Sequence, residues 1–210
     1  MRPEAIESDT AVAAKRAPSL VQQILSVPNQ LTMLRMLVLP FILISMIYGR
    51  HDMALWLFLG AAVTDGIDGV VARRFNQRTQ VGEFLDPIAD KLLLSSCFIV
   101  QALIGAIPLW ITILVISRDV IIVATVLVVV LTTEVRRFPP SFLGKLNTAV
   151  QIATVFTVLV HNYLQMFWTR QLTEWLVIAT AGTVLLSSVS YAVETSRRLH
   201  QHHADGPAGS

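Results

Sequence analysis

The sequence predicts an all-α integral membrane protein with six transmembrane helices and a short N-terminal interfacial helix. Of its 210 residues, 54% are hydrophobic and only 14% are charged, whereas a soluble domain carries about 25% charged residues. The mean hydropathy is +0.63. A transmembrane helix needs about 20 apolar residues, and six such stretches can be drawn, at 31–48, 53–73, 83–104, 107–132, 147–166 and 173–193. Most of the chain is therefore predicted to lie in lipid.

Polar segments flank the six spans. Residues 1–26 are a polar N-terminal segment, of which 19–26 are predicted to form an amphipathic interfacial helix that ends at Val27, Pro28 and Asn29. The spans form one domain, 27–195, and residues 196–210 form a polar cytoplasmic tail. Two prolines and a glycine in 133–145 predict a loop between spans four and five. No signal or transit peptide is expected, and the single cysteine, Cys97, excludes a disulfide framework.

Basic side chains concentrate in alternate loops. One set flanks the turn between spans two and three, lies between spans four and five, and follows span six: Arg73, Arg74, Arg78, Lys91, Arg136, Arg137, Lys145, Arg197 and Arg198. The opposite loops hold only Arg50 and Arg170. Because Lys and Arg accumulate on cytoplasmic loops, both termini and the turn between spans two and three are predicted to face the cytoplasm. The predicted location is the bacterial cytoplasmic (inner) membrane.

Four aspartates interrupt the apolar sequence of spans two and three. Asp65 and Asp68 are three residues apart, and Asp86 and Asp90 are four apart, so on helices each pair shares a face. An unpaired carboxylate at mid-bilayer costs about 2.5 to 3.5 kcal/mol, and four carboxylates in one pocket repel each other. Divalent cations remove both problems, and oxygen ligands indicate magnesium or manganese rather than zinc.

The residues around the aspartates indicate a phosphate-bearing substrate. Two metal ions held by carboxylates stabilise a phosphoryl displacement because they bind the attacking and the leaving oxygen. Gly66 and Gly69 would let a ligand approach the backbone, and Arg73 offers a planar guanidinium to a phosphate oxygen. The pattern therefore predicts a pyrophosphate substrate that is met at a membrane surface.

These residues carry a resemblance to a known family. Asp65-x2-Asp68-Gly69-x2-Ala72-Arg73-x8-Gly82-x3-Asp86-x3-Asp90 resembles the signature of the CDP-alcohol phosphotransferases (CDP-alcohol phosphatidyltransferases) at every defined position. Pro28-Asn29-x-Leu31-Thr32-x2-Arg35 before span one is also similar to the family. The resemblance covers about residues 27–195.

The resemblance implies a homodimer that transfers a phosphatidyl group from CDP-diacylglycerol to an alcohol and releases CMP, with no nucleic-acid partner. It implies that Asp65, Asp68 and Asp86 bind two Mg²⁺ or Mn²⁺ ions, and that Asp90 is chiefly the general base and also lies near the metals. The residues implied to line the CDP site are Asp65, Gly69, Ala72, Arg73 and Gly82.

The acceptor alcohol depends on two further polar sets. Arg118, in Ser117-Arg118-Asp119 midway along span four, should face a cavity or a partner. It holds the acceptor's phosphate in one interpretation and braces the bundle through an aspartate in the other. Lys145, Asn147 and Gln151 open span five, where the amides either contact the acceptor or join helices. Both sets resemble the CMP-forming cardiolipin synthase branch more than the phosphatidylglycerophosphate synthase branch. Phosphatidylglycerol is therefore the expected acceptor, and glycerol 3-phosphate is the alternative.

Two other classes of protein are less compatible with the sequence. A cation carrier without enzymatic activity would use intramembrane carboxylates, but here they fall near one membrane face and no inverted repeat with broken helices is evident. A structural membrane subunit accounts for the apolar spans but not for four clustered acids.

Overall fold

The structure is a computed structural model and describes residues 27–75, 80–132 and 142–204, with side chains at 32–64, 88–124 and 142–190. These residues form six α-helices and no strand: α1 (Val27–Ile47), α2 (His51–Phe75), α3 (Gln80–Leu103), α4 (Leu109–Thr132), α5 (Phe142–Leu164) and α6 (Phe167–Ala204). The prediction of an all-helical chain is confirmed. The predicted interfacial helix at 19–26 lies outside the described residues.

Three helix ends differ from the predicted ones. Val27, Pro28 and Asn29 form the first turn of α1 rather than a break before it, because proline at a helix start lacks only an N–H that would have no helical partner. The predicted loop at 133–145 is wrong from residue 142 onward, because α5 begins there. Gly144 lies inside this helix, and one interior glycine lowers helix stability by only about 1 kcal/mol. The last helix, α6, begins at Phe167 and ends at Ala204, beyond both ends of the predicted span at 173–193.

Short turns join the helices in antiparallel pairs. The turns at 48–50, 104–108 and 165–166 connect α1 to α2, α3 to α4 and α5 to α6. Gly49 and Gly105 have φ angles of +69° and +73°, which glycine adopts without the steric penalty of a Cβ atom. Because the helices alternate in direction, these three turns lie at one end of the bundle, the turn end. The C-terminus of α2 and the N-terminus of α3 lie at the other, the motif end.

The helices share one core. Helix α1 packs against α2 and α3, α5 packs against α6, α2 and α3, and α4 packs against α3 and α6. The centre of this core is formed by large, fully buried apolar side chains: Ile42, Met46, Phe58, Phe98, Ile111, Val115 and Leu159. Every described helix therefore has a fixed neighbour, and polar side chains on different helices are held in register.

The bundle exposes many large apolar side chains and buries several polar ones. Many large apolar side chains are exposed, among them Leu37, Trp56, Val123 and Trp175, whereas polar side chains such as Gln101, Asn147, Gln151, Thr154 and Thr180 are fully buried. Among the described residues, Phe142–Leu164 and Phe167–Ser190 are long and apolar enough to cross a membrane, and only 39% and 28% of these stretches are buried. Helices buried this little are unlike the core helices of a soluble protein, so the structure is consistent with a membrane protein.

Candidate active site

The aspartate motif lies on two consecutive helices. Asp65 and Asp68 belong to α2 and Asp86 and Asp90 to α3, so the predicted spacings fall on helical backbone. Gly69, Ala72 and Arg73 also lie on α2, and Gly82 lies on α3. Of these side chains the structure describes only Asp90. The convergence of the two carboxylate pairs therefore stays a prediction.

Asp90 is held by an arginine from a different helix. Arg35 of α1 donates from Nη1 to Oδ1 of Asp90 and forms an ion pair with it. Only 5% of the arginine side chain is exposed, compared with 43% of the aspartate side chain. The arrangement fixes one carboxylate oxygen from the protein interior while the carboxylate keeps access to a ligand from outside.

A second charged cluster, the α4 cluster, begins at the next residue of α3. Lys91 Nζ and Arg118 Nη1 each donate to Oδ1 of Asp119 at 2.7 Å, and Arg118 Nη2 donates to Oγ of Ser187 at 2.8 Å. Arg118 is buried rather than lipid-facing, as expected. Two cations and one carboxylate leave this cluster with a formal charge of +1, and its contacts join α4 to α3 through Lys91 and to α6 through Ser187.

The predicted acceptor residues on α5 separate into exposed and buried ones. Lys145 is exposed, whereas Asn147 and Gln151 are fully buried one helical turn apart. Asn147 Oδ1 accepts a hydrogen bond from Thr183 Oγ1 at 3.1 Å. Among the described residues, nothing donates to or accepts from Asn147 Nδ2 or either polar atom of Gln151. Buried amides normally find partners, so these atoms mark a place where the bundle accommodates water or a polar ligand group.

A groove opens between α1 and α2 beside the motif. Its volume is about 160 Å³, and its lining includes Arg35, Trp56, Gly60 and Thr64. Thr64 directly precedes Asp65, and a Cβ atom added at Gly60 would meet nothing within 4 Å. The groove thus leads along the bundle surface to the helix that carries the first aspartate pair.

Three residues in these contacts have no site role that was predicted from the sequence. Arg35 lay in the stretch before span one that resembles the family, but its ion pair with a residue 55 positions away could not be inferred from local spacing. Thr183 and Ser187 were part of an apolar span, although they are four residues apart and so share a helix face. That spacing was a usable signal for polar contacts from α6.

The described side chains do not by themselves form a metal site. Among residues 32–64, 88–124 and 142–190, no three His, Cys, Asp or Glu side chains could hold an ion together. Of the four motif aspartates, Asp65, Asp68 and Asp86 lie outside these ranges. The donor set of the motif, four carboxylates and no thiolate or imidazole, fits a hard divalent cation.

Comparison with protein families assigns most of the chain to one of them. The sequence model of the CDP-alcohol phosphatidyltransferase family matches residues 25–186. The match begins before α1 and ends in α6, so it contains both aspartate pairs, Arg35, the α4 cluster apart from Ser187, and the buried amides of α5.

Individual relatives carry the names of two activities. The chain is 33% identical to human cardiolipin synthase (CMP-forming) over 198 residues, which cover 83% of this chain and 63% of that protein. It is 36% identical over 141 residues to a probable phosphatidylglycerophosphate synthase of Mycobacterium tuberculosis, covering 63% of this chain and 65% of that protein. It is also 36% identical over 152 residues to CDP-diacylglycerol–glycerol-3-phosphate 3-phosphatidyltransferase of Bacillus subtilis, covering 65% of this chain and 78% of that protein. The chain thus spans slightly less than two thirds of the length of the first two relatives.

Proposed function

The chain belongs to the CDP-alcohol phosphatidyltransferase family, and from that premise we propose that it transfers a phosphatidyl group from CDP-diacylglycerol to an alcohol and releases CMP. The observation that carries the proposal is the aspartate motif itself, complete at every defined position, on helical backbone of α2 and α3 within the matched region. In the reaction the acceptor's hydroxyl oxygen bonds to the phosphorus of the phosphatidyl group. The bond from that phosphorus to CMP breaks, and CMP leaves with the bonding electrons.

Asp90 is the general base of the proposed reaction. It takes the proton of the acceptor hydroxyl as the new phosphorus–oxygen bond forms. Its exposed carboxylate is accessible to a hydroxyl, and its ion pair with the buried Arg35 fixes its orientation. Arg35 is therefore a positioning residue in this proposal: it acts on the reaction through Asp90, although its side chain also borders the groove between α1 and α2.

Asp65, Asp68 and Asp86, with Asp90 at the edge of the set, would hold divalent cations. Enzymes of this family generally use divalent metal ions, and we propose Mg²⁺, or Mn²⁺, with two ions in each site. When bound, the ions supply positive charge that stabilises the displaced nucleotide phosphate. The residues proposed to bind the CDP moiety are Asp65, Gly69, Ala72, Arg73 and Gly82. The groove beside Gly60 is proposed to accept an acyl chain of the donor lipid.

Phosphatidylglycerol is the proposed acceptor, which would make the chain a CMP-forming cardiolipin synthase. Arg118, Lys145 and Asn147 are proposed to contact it. This choice is supported by the resemblance of Ser117-Arg118-Asp119 and of the start of α5 to the CMP-forming cardiolipin synthase branch. Glycerol 3-phosphate remains the second candidate, because two of the three relatives above carry names of enzymes that make phosphatidylglycerophosphate.

The proposed setting is a membrane that all six helices cross. The basic residues of alternate loops support a cytoplasmic location for the motif end and for both termini, in a bacterial cytoplasmic membrane. The exposed apolar side chains on every described helix support contact with lipid. A homodimer is proposed from the family resemblance.

The test measures CMP release by the purified full-length protein. With CDP-diacylglycerol and Mg²⁺ present, phosphatidylglycerol is expected to give CMP and cardiolipin, and glycerol 3-phosphate little CMP. The reverse preference would make the chain a phosphatidylglycerophosphate synthase. No CMP with either acceptor, or with serine or inositol phosphate, would rule out the enzyme and leave the cation carrier.

Asp90→Asn should abolish CMP release without preventing CDP-diacylglycerol binding, because the amide cannot accept the proton. Binding is measured separately, by retention of labelled CDP-diacylglycerol on the purified protein. If the substitution removes binding as well, Asp90 belongs chiefly to the metal-binding set and another residue must be the base.

A further inference from the structure

A large cavity lies at the turn end of the bundle, away from the aspartate motif. Its volume is about 770 Å³, within the range of sites that bind small molecules, about 300 to 1,000 Å³. Ile47 and His51 from the first helix pair, Ile104 from the second, and His161 and Arg170 from the third all line it. The cavity is therefore formed where the three pairs meet, and the proposed transfer reaction does not use it.

The lining of the cavity is amphipathic. Its apolar wall is formed by Met46, Ile47, Ile104, Pro108, Trp110, Val177 and Ile178, and its polar wall by His51, His161, Asn162, Arg170, Thr173 and Glu174. Trp110, Trp168 and Trp175 are all partly exposed at this end of the bundle, and tryptophan is typical of the head-group depth of a membrane. A ligand with both a polar head and an apolar tail fits this lining and this depth.

The polar wall carries one positive and one negative side chain, Arg170 and Glu174. Arg170 Nε and Glu174 Oε1 are 3.3 Å apart, and 72% and 65% of their side chains are exposed. An exposed pair at this distance is weakly held, so both groups are available to a ligand. One positive and one negative group side by side complement a ligand that also carries one of each.

Two histidines add further hydrogen-bonding groups to the polar wall. Thr169 Oγ1 donates its only proton to the carbonyl oxygen of Met166 at 2.6 Å, so its contact with His161 Nδ1 at 2.8 Å must be donated by the imidazole. Neutral His161 therefore carries its proton on Nδ1 and has an acceptor at Nε2. The Nδ1 atom of His51, also in the lining, is buried and has no hydrogen-bond partner within the part of the chain that the structure describes. The polar wall thus offers hydrogen-bond acceptors to a ligand group with several donors, and the cation Arg170 to an anionic ligand group.

We propose that this cavity binds the head group of a zwitterionic phospholipid with a primary ammonium, from the leaflet opposite the aspartate motif. Arg170 binds the phosphate, Glu174 and His161 Nε2 accept hydrogen bonds from the ammonium, and the first acyl carbons lie against Trp110 and Ile178. The formal charge of the Arg170–Glu174 pair is zero, which favours this net-neutral head group over an anionic one. The proposed binding does not depend on the transfer reaction.

A photoreactive phosphatidylethanolamine, with its diazirine near the acyl carbonyl, tests this assignment on the purified full-length protein in detergent. Peptide mass spectrometry is expected to place the label within 104–110 or 161–178. Arg170→Gln and Glu174→Gln are each expected to lower the labelling yield about tenfold, the effect of losing a hydrogen bond to a charged group. Both residues are exposed, so the fold should tolerate either change.

The matched controls are Arg50→Gln and Asp52→Asn, which remove an exposed cation and an exposed anion at the same end but outside the cavity lining. They should leave the yield unchanged. Equal losses in all four variants, or label located elsewhere, would overturn the proposal. Stronger labelling by a phosphatidylglycerol analogue would overturn the zwitterionic assignment. Complete displacement by free phosphoethanolamine would show that the cavity binds the soluble head group and not the lipid.

Discussion

Replacement of Arg35 by glutamine is expected to slow CMP release about tenfold while leaving the KM for CDP-diacylglycerol nearly unchanged. The substitution removes the charge-assisted hydrogen bond that joins Nη1 of Arg35 to Oδ1 of Asp90. Such a bond contributes about 1.5 to 3 kcal/mol. Because 43% of the Asp90 side chain is exposed, water replaces part of the lost contact, so the lower figure applies and corresponds to about tenfold in rate.

The assay compares kcat and KM for CMP release by wild type, Arg35→Gln and Arg35→Lys. Lysine keeps the charge without the planar guanidinium, so it should recover part of the lost turnover. Arg50→Gln, an exposed arginine at the turn end, is the control for general effects of charge. Thermal unfolding of each variant separates loss of positioning from loss of fold. Unchanged kcat in a folded Arg35→Gln protein would refute the role of Arg35, as would a loss confined to KM.

Two further substitutions separate the donor site from the acceptor site. Gly60→Phe should fill the groove of about 160 Å³ and raise the KM for CDP-diacylglycerol about tenfold, the effect of displacing two methylene groups. Gly60→Ala should have no effect because its Cβ meets nothing within 4 Å, and equal KM values in all three proteins would exclude the groove as the acyl-chain site. Arg118→Gln should raise the KM for phosphatidylglycerol about tenfold and leave that for CDP-diacylglycerol unchanged. Equal increases in both KM values would show that Arg118 only braces the bundle.

The fold could be predicted from sequence because its signals are local. Apolar stretches long enough to cross a membrane predicted the six helices that the described residues form, and Gly49 and Gly105 lie in turns between them. The predicted helix ends differ from the observed ones at residues that commonly end helices. Pro28 and Gly144 were assigned to breaks although both lie in the first turns of helices, where proline meets no conflict and glycine has only a small cost.

The aspartate motif was equally accessible to sequence analysis, because its spacing is set by the helical repeat along two neighbouring helices. The contacts that complete the candidate site were not. Arg35 and Asp90 are 55 positions apart, and Arg118 and Ser187 are 69 apart. Contacts of this kind depend on which helices pack together. The hydrophobic pattern does not determine the packing partners of a helix when almost every face of that helix is apolar.

Helix α6 shows how such contacts arise in this bundle. Lipid offers little hydrophobic driving force for helices to associate, so hydrogen bonds and close packing must hold them together. Hydroxyl groups on α6 do this along its length: Thr169 meets His161, Thr180 meets Thr154 at 2.8 Å, and Thr183 meets Asn147. Ser187 extends the row to Arg118 on α4. The hydroxyls that attach α6 to the bundle also orient Asn147 near the motif end, Arg118 midway along α4 and His161 in the cavity at the turn end. The same row of small polar residues therefore positions the residues of the proposed acceptor site and of the proposed lipid site.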